Sequence, residues 1–305
     1  MTFDIVINPA GASGNSLKLW KKLRHIFDSV ECRLHYSSPE RPVSEICRRL
    51  TAKGRHSNLV IIGGDGTLNE ALNGIDCFEE TTLGFIPCGT GNDMCRDMDL
   101  PKSKKKLAER ILQGKVRREA DIGELTFYGK ETVKRRFNIS SDVGFGASTC
   151  AYADRSRIKP LLNRIGLGRL IYLIGALGVC FTSKPADVLL SVDGRKTRCP
   201  RCLCIIVMNH CYEGGGFKFC PHADFTDGKL DIVYGDGLSK LEFLRMLPNA
   251  YKGTHIKLRG ITELRGNVIT ICSKQPLWIH TDGEVLGKAK RAEMRLLPQK
   301  LRLLV

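Results

Sequence analysis

The chain runs through two rhythms of apolar and polar positions. In the first, residues 3–8, 58–62 and 83–87 are short runs rich in Ile, Val, Leu and Phe, each the length of a buried strand, and residues 32–36 read as a further strand. Between them the spacing turns helical. Residues 16–29 put Leu19, Trp20, Leu23, Ile26 and Phe27 on one face, residues 43–53 read as a helix closed by Gly54, and another helix follows Thr67. A short helix is predicted near Asn92 and a longer one over residues 103–113. Strand and helix alternating through short connections predict a parallel sheet covered on both faces. Ligands of such sheets sit beyond the carboxyl ends of the strands.

From about residue 120 the rhythm changes. Strands are predicted over residues 122–128, 133–139, 187–192, 203–208, 229–234, 255–259, 267–273 and 277–280, punctuated by Asp193-Gly194, Asp227-Gly228 and Asp282-Gly283. The expected fold is α/β plus all-β: an N-terminal parallel-sheet domain over residues 1–120, then an antiparallel β-sandwich or related barrel over 121–293. A helical stretch, 161–181, interrupts the second domain, and the strand-like tail 294–305 is expected to rejoin the first.

Composition narrows the function classes. A chain of 305 residues with 42% hydrophobic residues suits two domains with sizeable cores. The formal charge of +16 favours anionic partners such as nucleotides and phospholipid headgroups. Aromatics make up only 7%, and no basic stripe is interleaved with them, so no nucleic-acid partner is expected. No signal peptide is visible, and the longest uncharged apolar run, residues 170–183, is too short to span a bilayer. Thirteen cysteines in a chain without a leader point to reduced thiols and a cytoplasmic setting. Cys199, Cys202 and Cys204 look like half of a zinc ribbon, but no second pair stands at ribbon spacing and the surrounding alternation reads as strand.

Three glycine turns follow strands of the first domain. They are Asn8-Pro9-Ala10-Gly11-Ala12-Ser13-Gly14, Gly63-Gly64-Asp65-Gly66-Thr67 and Pro87-Cys88-Gly89-Thr90-Gly91-Asn92-Asp93. In a parallel sheet they share one edge and can converge on one ligand. Backbone N–H groups at glycine turns suit phosphate oxygens, and Ser13, Thr67 and Thr90 can add hydroxyls. None is a Walker A loop, and none is GxGxxG after the first strand.

These turns, with Leu68-Asn69-Glu70 after the second, resemble the diacylglycerol kinase catalytic-domain family and its bacterial lipid-kinase and sphingosine-kinase relatives. The resemblance continues through Phe137-Asn138, Gly144-Phe145-Gly146, Thr226-Asp227-Gly228-Lys229-Leu230-Asp231 and Asp282-Gly283-Glu284, and so covers nearly the whole chain. The GGDGT turn is shared with NAD kinases; the later motifs, in order, favour the lipid-kinase branch.

The resemblance implies a nucleotide-binding α/β domain, a β-sandwich domain, an active cleft between them, and ATP with Mg²⁺. It places Asn8, Ser13, Gly14, Gly63, Gly64, Asp65, Gly66, Thr67, Glu70, Gly89, Thr90, Asn92 and Asp93 about the nucleotide, with Asp65 at the phosphate and magnesium centre. The hydroxyl contact after the second strand falls on Tyr36 or Ser37. Glu284 aligns with the general base, and Asp227 with a structural magnesium ligand helped by the carbonyls of Asp224 and Lys229. The substrate implied is a membrane lipid, with diacylglycerol leading, in phospholipid biosynthesis. Basic clusters at residues 102–106, 115–118, 134–136 and 288–291 are candidates for peripheral contact with anionic membrane, and the stretch 161–181 for an acyl-chain cleft or interfacial helix. A soluble small-molecule kinase such as NAD kinase and a non-catalytic membrane binder are the competing readings. A homodimer is compatible with the sequence, which carries no signal for or against it.

Overall fold

The computed structural model describes residues 1–89, 91–156 and 170–305, apart from the side chains of Ser13, Leu170 and Leu173. The chain divides into two compact units, Met1–Ile122 with Leu297–Val305, and Gly123–Leu296.

The first unit is built on β1 (Thr2–Ile7), β2 (Glu31–Tyr36), β3 (Ser57–Gly63), β4 (Thr81–Pro87), β5 (Arg118–Ala120) and β15 (Leu301–Leu303), in the order β2-β1-β3-β4-β15-β5. All neighbours are parallel except β15 and β5. The central strands β1, β3 and β4 are buried almost throughout, as strands covered on both faces must be, whereas the edge strand β2 is largely exposed. On one face Phe3, Ile5, Ile7, Val60, Ile62 and Ile86 meet α1 (Asn15–Leu23) and α4 (Lys104–Leu112) through Trp20, Leu23, Leu107 and Ile111. The helical spacing predicted over 16–29 holds only to Leu23; a 3-10 turn, Arg24–Ser29, then brings Phe27 edge-on to Trp20 with ring centres 5.3 Å apart.

Two further helices, α2 (Val43–Leu50) and α3 (Asp65–Gly74), pack closely on each other. Their crossing depends on Gly74: a Cβ there would lie 2.2 Å from the Ser44 carbonyl oxygen.

The second unit is a nine-stranded antiparallel system of β6 (Gly123–Tyr128), β7 (Thr132–Phe137), β8 (Ser140–Gly144), β9 (Ala186–Val192), β10 (Arg195–Met208), β11 (Leu230–Asp236), β12 (Ile261–Gly266), β13 (Val268–Thr281) and β14 (Glu284–Leu296). The long strands β10 and β13 organise it. Near one end both pair with β8, near the other both pair with β9, and register shifts between Cys199 and Cys202 and between Cys272 and Leu277 let them bend between the two. This produces the sandwich-like layering, whose core includes Phe137, Val143, Leu190, Val207, Ile232, Ile271 and Met294. Cys199, Cys202 and Cys204 are buried on β10.

Several expectations change here. Residues 255–259 form a 3-10 turn, His255–Lys257, and the strand begins later, at Ile261. The two runs 267–273 and 277–280 are one strand, β13. β8, helix α5 (Phe145–Arg155) and helix Lys240–Lys252 have no counterpart among the predicted elements. Of the stretch 161–181, Leu170–Thr182 is helical, and residues 161–169 lie outside the described residues. No helix among the described residues is long and apolar enough to cross a membrane.

Because Gly74 meets backbone and not a yielding side chain, Gly74→Ala is expected to destabilise the protein by about 1–3 kcal/mol, the cost of overpacking. Chemical denaturation of the variant beside wild type measures it; an unchanged midpoint would show that α2 and α3 separate freely.

Candidate active site

The first two glycine loops and the described part of the third meet at the carboxyl ends of β1, β3 and β4. After β1, the Asn8 side chain accepts the N–H groups of Ala10 and Gly11, both at 3.1 Å, so it braces its own loop. Gly14, at φ 82°, turns the chain into α1, and the buried Ser16 hydroxyl donates to the Gly11 carbonyl at 3.1 Å and lies 3.3 Å from Cys88 Sγ. The first and third loops are therefore joined by Ser16 and Cys88.

The second and third loops touch glycine to glycine. A Cβ on Gly89 would lie 2.9 Å from Gly64 Cα, and the Cys88 N–H donates to the Gly63 carbonyl at 2.8 Å. No larger residue permits that approach. The Gly63 position is closed by Thr67, whose Cβ would stand 2.5 Å from any added Cβ. Asp65 opens α3 and turns its carboxylate toward Gly91: a Cβ there would fall 2.7 Å from Asp65 Oδ2. The third loop is stiffened from within. Asn92, at φ 51°, donates to the Gly89 carbonyl at 2.7 Å; Asp93 accepts from Arg96 at 2.8 Å, and Arg96 also donates to the Gly91 carbonyl at 3.1 Å. Thr90 and the Ser13 side chain lie outside the described residues.

The remaining nucleotide candidates are more dispersed. Gly66 is exposed at the start of α3, and Glu70, one turn on, acts electrostatically on Cys47 of α2. Ser37 is half-buried and its N–H donates to the Ile7 carbonyl at 3.0 Å, which ties the end of β2 to β1; Tyr36 is 45% exposed. A cation that the sequence reading assigned only to a membrane cluster, Lys104, acts on the same loops. Burial pushes the Cys95 thiol up to about 12, with Asp65 adding to the rise and Lys104 opposing it. The half-buried Cys88 thiol is raised by burial and lowered by Ser16 and Lys104.

In the second unit, Glu284 is exposed at the first position of β14, opposite Thr281, and makes no hydrogen bond or ion pair among the described residues. What holds it is the turn before it. Asp282 and Gly283 are both left-handed, at φ 48° and 85°, as a two-residue hairpin turn requires. The Asp282 carboxylate accepts the N–H groups of Asn138, Ile139 and Ser140 at 2.8, 2.9 and 2.9 Å. The Gly283 N–H donates to His280 Nδ1 at 3.1 Å, so that nitrogen is the unprotonated one, and Nε2 faces Glu213 Oε1 at 3.6 Å. Burial lowers His280 to about 4. Glu213 also accepts from the Ser140 hydroxyl.

Beside His280 in the ladder stands Asp142, buried on β8. Burial raises it to about 7, against the pull of the Ala147 and Gly146 N–H groups at the start of α5. Gly146 makes room for it, since a Cβ there would meet Asp142 Oδ2 at 2.0 Å. Nothing in the residue order pointed to Asp142 or His280; the neighbouring Gly144-Phe145-Gly146 was read only as part of the family resemblance.

The turn Asp224 to Lys229 carries the residues that the resemblance assigns to magnesium. Asp227 Oδ1 accepts the Lys229 N–H at 3.0 Å, its Oδ2 is paired with the Arg265 guanidinium, and the Asp224 carbonyl accepts the Asp227 N–H at 3.3 Å. Arg265 Nε also lies 3.5 Å from Asp231 Oδ1. Asp231 is raised to about 6 by burial and Glu263, with His222 opposing. A guanidinium thus stands where a divalent ion would neutralise these carboxylates. The Asp227 carboxylate that the resemblance assigns to magnesium is here paired with Arg265, and no group of three or more acidic, His or Cys side chains is disposed to hold a metal among the described residues.

A parallel α/β unit with glycine loops at its strand ends, followed by an antiparallel sandwich-like unit, is the architecture on which the comparisons bear. The profile described as "Diacylglycerol kinase catalytic domain" matches residues 3–125, and that described as "YegS C-terminal NAD kinase beta sandwich-like domain" matches residues 141–305. The chain belongs to the diacylglycerol kinase family. It is 28% identical to the diacylglycerol kinase of Mycobacterium tuberculosis H37Rv over 253 residues, 83% of this chain and 78% of that one. It is also 28% identical to the diacylglycerol kinase of Bacillus subtilis strain 168 over 232 residues, 75% of this chain and 71% of that one. A diacylglycerol kinase structure from Bacillus anthracis Sterne superposes with a TM-score of 0.68 at 19% identity, covering 99% of this chain and 96% of that one.

Two outcomes are expected. Wild type should melt at the same temperature in magnesium and in chelator. Arg265→Met, which removes the cation paired with Asp227 and beside Asp231, should melt about 2–4 °C lower, the shift for roughly 1 kcal/mol in a domain of this size, and recover when magnesium is added. A wild-type melt that rises with magnesium would return the metal to the Asp227 turn.

The second concerns pH. Asp142 is raised when folded, so between about pH 4 and 7 the folded state holds a proton that the unfolded chain releases. That burial makes stability fall as pH rises through this window, while neutral His280, lowered to about 4, makes it rise from there to the ordinary histidine range. Asp142→Asn removes only the first effect. Its stability relative to wild type should therefore grow as pH is raised from 4 to 7, as read by denaturation at each pH; a constant difference would show Asp142 ionised throughout.

Proposed function

We propose that this chain is an ATP-dependent lipid kinase that transfers the γ-phosphate of ATP to the hydroxyl of a membrane lipid, diacylglycerol first, to make phosphatidic acid. The observation that carries this reading is the meeting of the glycine turns: Gly64 against Gly89, with Asp65 turned to the space that Gly91 leaves open. Such turns bring backbone N–H groups to phosphate oxygens. Family membership supports ATP as the donor, and the relatives named as diacylglycerol kinases support a lipid acceptor. The net charge of +16 suits a protein that works from the cytoplasm at an anionic bilayer surface.

In this reading Asn8, Asn92 and Arg96 keep the loops rigid, so the phosphates meet donors already in place. Lys104 supplies positive charge near Cys88 and Cys95, on the third loop and just after it. Magnesium arriving with ATP would neutralise phosphate charge, and Asp65 is the carboxylate these turns offer it. The lipid hydroxyl oxygen bonds to the γ-phosphorus as the bond to the β-phosphate oxygen breaks, and ADP leaves. Glu284 takes the hydroxyl proton. Its exposure leaves it open to an incoming acceptor, and the Asp282 and His280 contacts fix the turn from which it projects.

The experiment is labelled ATP offered to mixed micelles of candidate lipids, beside NAD in solution. Label on a lipid supports the proposal, label on NAD replaces it with a small-molecule kinase, and no transfer leaves a membrane binder. With the active acceptor, Glu284→Gln should lower kcat by roughly 10²-fold or more, the scale of general-base catalysis. Nucleotide affinity should hold, because the glycine turns belong to the other unit. Unchanged kcat would remove Glu284 from the base role.

A further inference from the structure

Between β10 and β11 the chain makes a small hairpin over residues 213–217. The Glu213 N–H donates to the Phe217 carbonyl at 2.9 Å, and the Phe217 N–H donates to the Glu213 carbonyl at 3.0 Å. Its tip, Gly214, Gly215 and Gly216, has positive φ throughout, at 65°, 84° and 123°. Such a run is open only to glycine. The hairpin is anchored past its tip. Phe217 packs on Phe219 and Tyr251, with ring centres 5.5 and 5.6 Å away, and the Lys218 N–H donates to the Ala250 carbonyl at 2.9 Å. The side chain at the first position of this rigid turn, Glu213, is 15% exposed.

One oxygen of that side chain, Oε1, accepts from the Ser140 hydroxyl of β8 and lies 3.6 Å from His280 Nε2 of β13. Burying a carboxylate costs free energy, and any acceptor would satisfy Ser140. What a full negative charge adds is a choice of tautomer. Burial lowers His280 to about 4, so near pH 7 the ring is neutral and only one nitrogen carries a proton. A carboxylate facing Nε2 favours the proton there and leaves Nδ1 bare for the Gly283 N–H, 3.1 Å away. In the other tautomer two N–H groups would point at each other, and that bond would be lost. The cross-strand neighbour of His280, Asp142, is engaged by the Gly146 and Ala147 N–H groups. Gly283 directly precedes Glu284, whose direction is set by the turn because its own side chain makes no hydrogen bond or ion pair among the described residues.

We propose that Glu213 is a positioning residue of the phosphotransfer site: by facing His280 it fixes the imidazole tautomer that holds the Gly283 N–H, and through that turn the direction of Glu284. It acts through His280 and not on the reacting atoms. The inference rests on the base role of Glu284 proposed above.

Nitrogen NMR of protein labelled at histidine reads the tautomer directly; of the seven histidines, His280 is the one whose signal vanishes in His280→Gln. Wild type should carry a proton on Nε2 and none on Nδ1. Glu213→Leu should move the proton toward Nδ1 and lower kcat by roughly 10- to 100-fold, the scale of a small misplacement of a reacting group, with nucleotide affinity unchanged. Glu213→Gln, which still offers an oxygen to the Nε2 proton, should restore the tautomer and most of kcat. Ser140→Ala removes the other partner of Glu213 and should leave the tautomer as in wild type, which separates aiming His280 from merely supporting the hairpin. A proton on Nδ1 in wild type overturns the proposal, and that spectrum decides even where a variant fails to fold. So does a normal kcat in Glu213→Leu, a Glu213→Gln no better than the leucine variant, or a tautomer lost equally in Ser140→Ala. The base role fails separately. If Glu284→Gln keeps its kcat, that reading falls and this one with it; if Glu284→Gln loses kcat while Glu213→Leu turns over normally, this inference alone is lost.

Discussion

The Asp282 carboxylate holds three backbone N–H groups, those of Asn138, Ile139 and Ser140. A carboxylate gripping three donors is a strong, directional tie, because each bond is charge-assisted. It joins the β13–β14 hairpin to the start of β8, segments far apart in the chain. The candidate base, Glu284, leaves the hairpin two residues later. β8 carries Asp142, which receives the first N–H groups of α5. The placement of the candidate catalytic group and of the start of α5 thus rests on the same tie. Asp193 repeats the device at the β9–β10 hairpin, where its carboxylate accepts the N–H groups of Asn267 and Val268.

The two units solve different problems with glycine. In the first, glycine lets backbone approach backbone, as at Gly64 and Gly89. In the second, glycines follow aspartates in tight turns, where a left-handed pair matches the twist of the flanking strands. The buried polar residues divide in the same way. Ser16 and Asn92 stiffen loops, while His280 and Asp142 sit within a sheet where burial alone keeps one neutral and raises the other to about 7.

Much of the first unit was legible in the residue order because its signals are local. Three apolar runs, helical spacing between them and glycine turns at strand ends are set by near neighbours, and β1, β3 and β4 fall on those runs. The second unit was read less completely. β8 is Ser-Ser-Asp-Val-Gly, which carries no strand pattern; it is a strand because β10 and β13 pair with it on both sides. The helix Lys240–Lys252 contains Pro248, a breaker by local rules, yet Ser239 and Glu242 cap its start reciprocally and Phe243, Met246 and Ala250 bury one face. Alternation at His255 to Arg259 imitated a strand where no partner was available, and pairing with β11 begins only at Ile261.

By itself the sequence determined the division into two rhythms, the order of the glycine turns and the residues that carry the family resemblance. These depend on backbone conformations and periodicities that a few adjacent residues impose. Only the tertiary structure decided that Arg265 meets Asp227, that His280 and Asp282 hold the turn before Glu284, and that Arg155 and Lys288 share Trp278. Each of these joins residues whose separation in the chain says nothing of their distance in space. A charge becomes a partner or a liability only once folding fixes what faces it and how much water remains between.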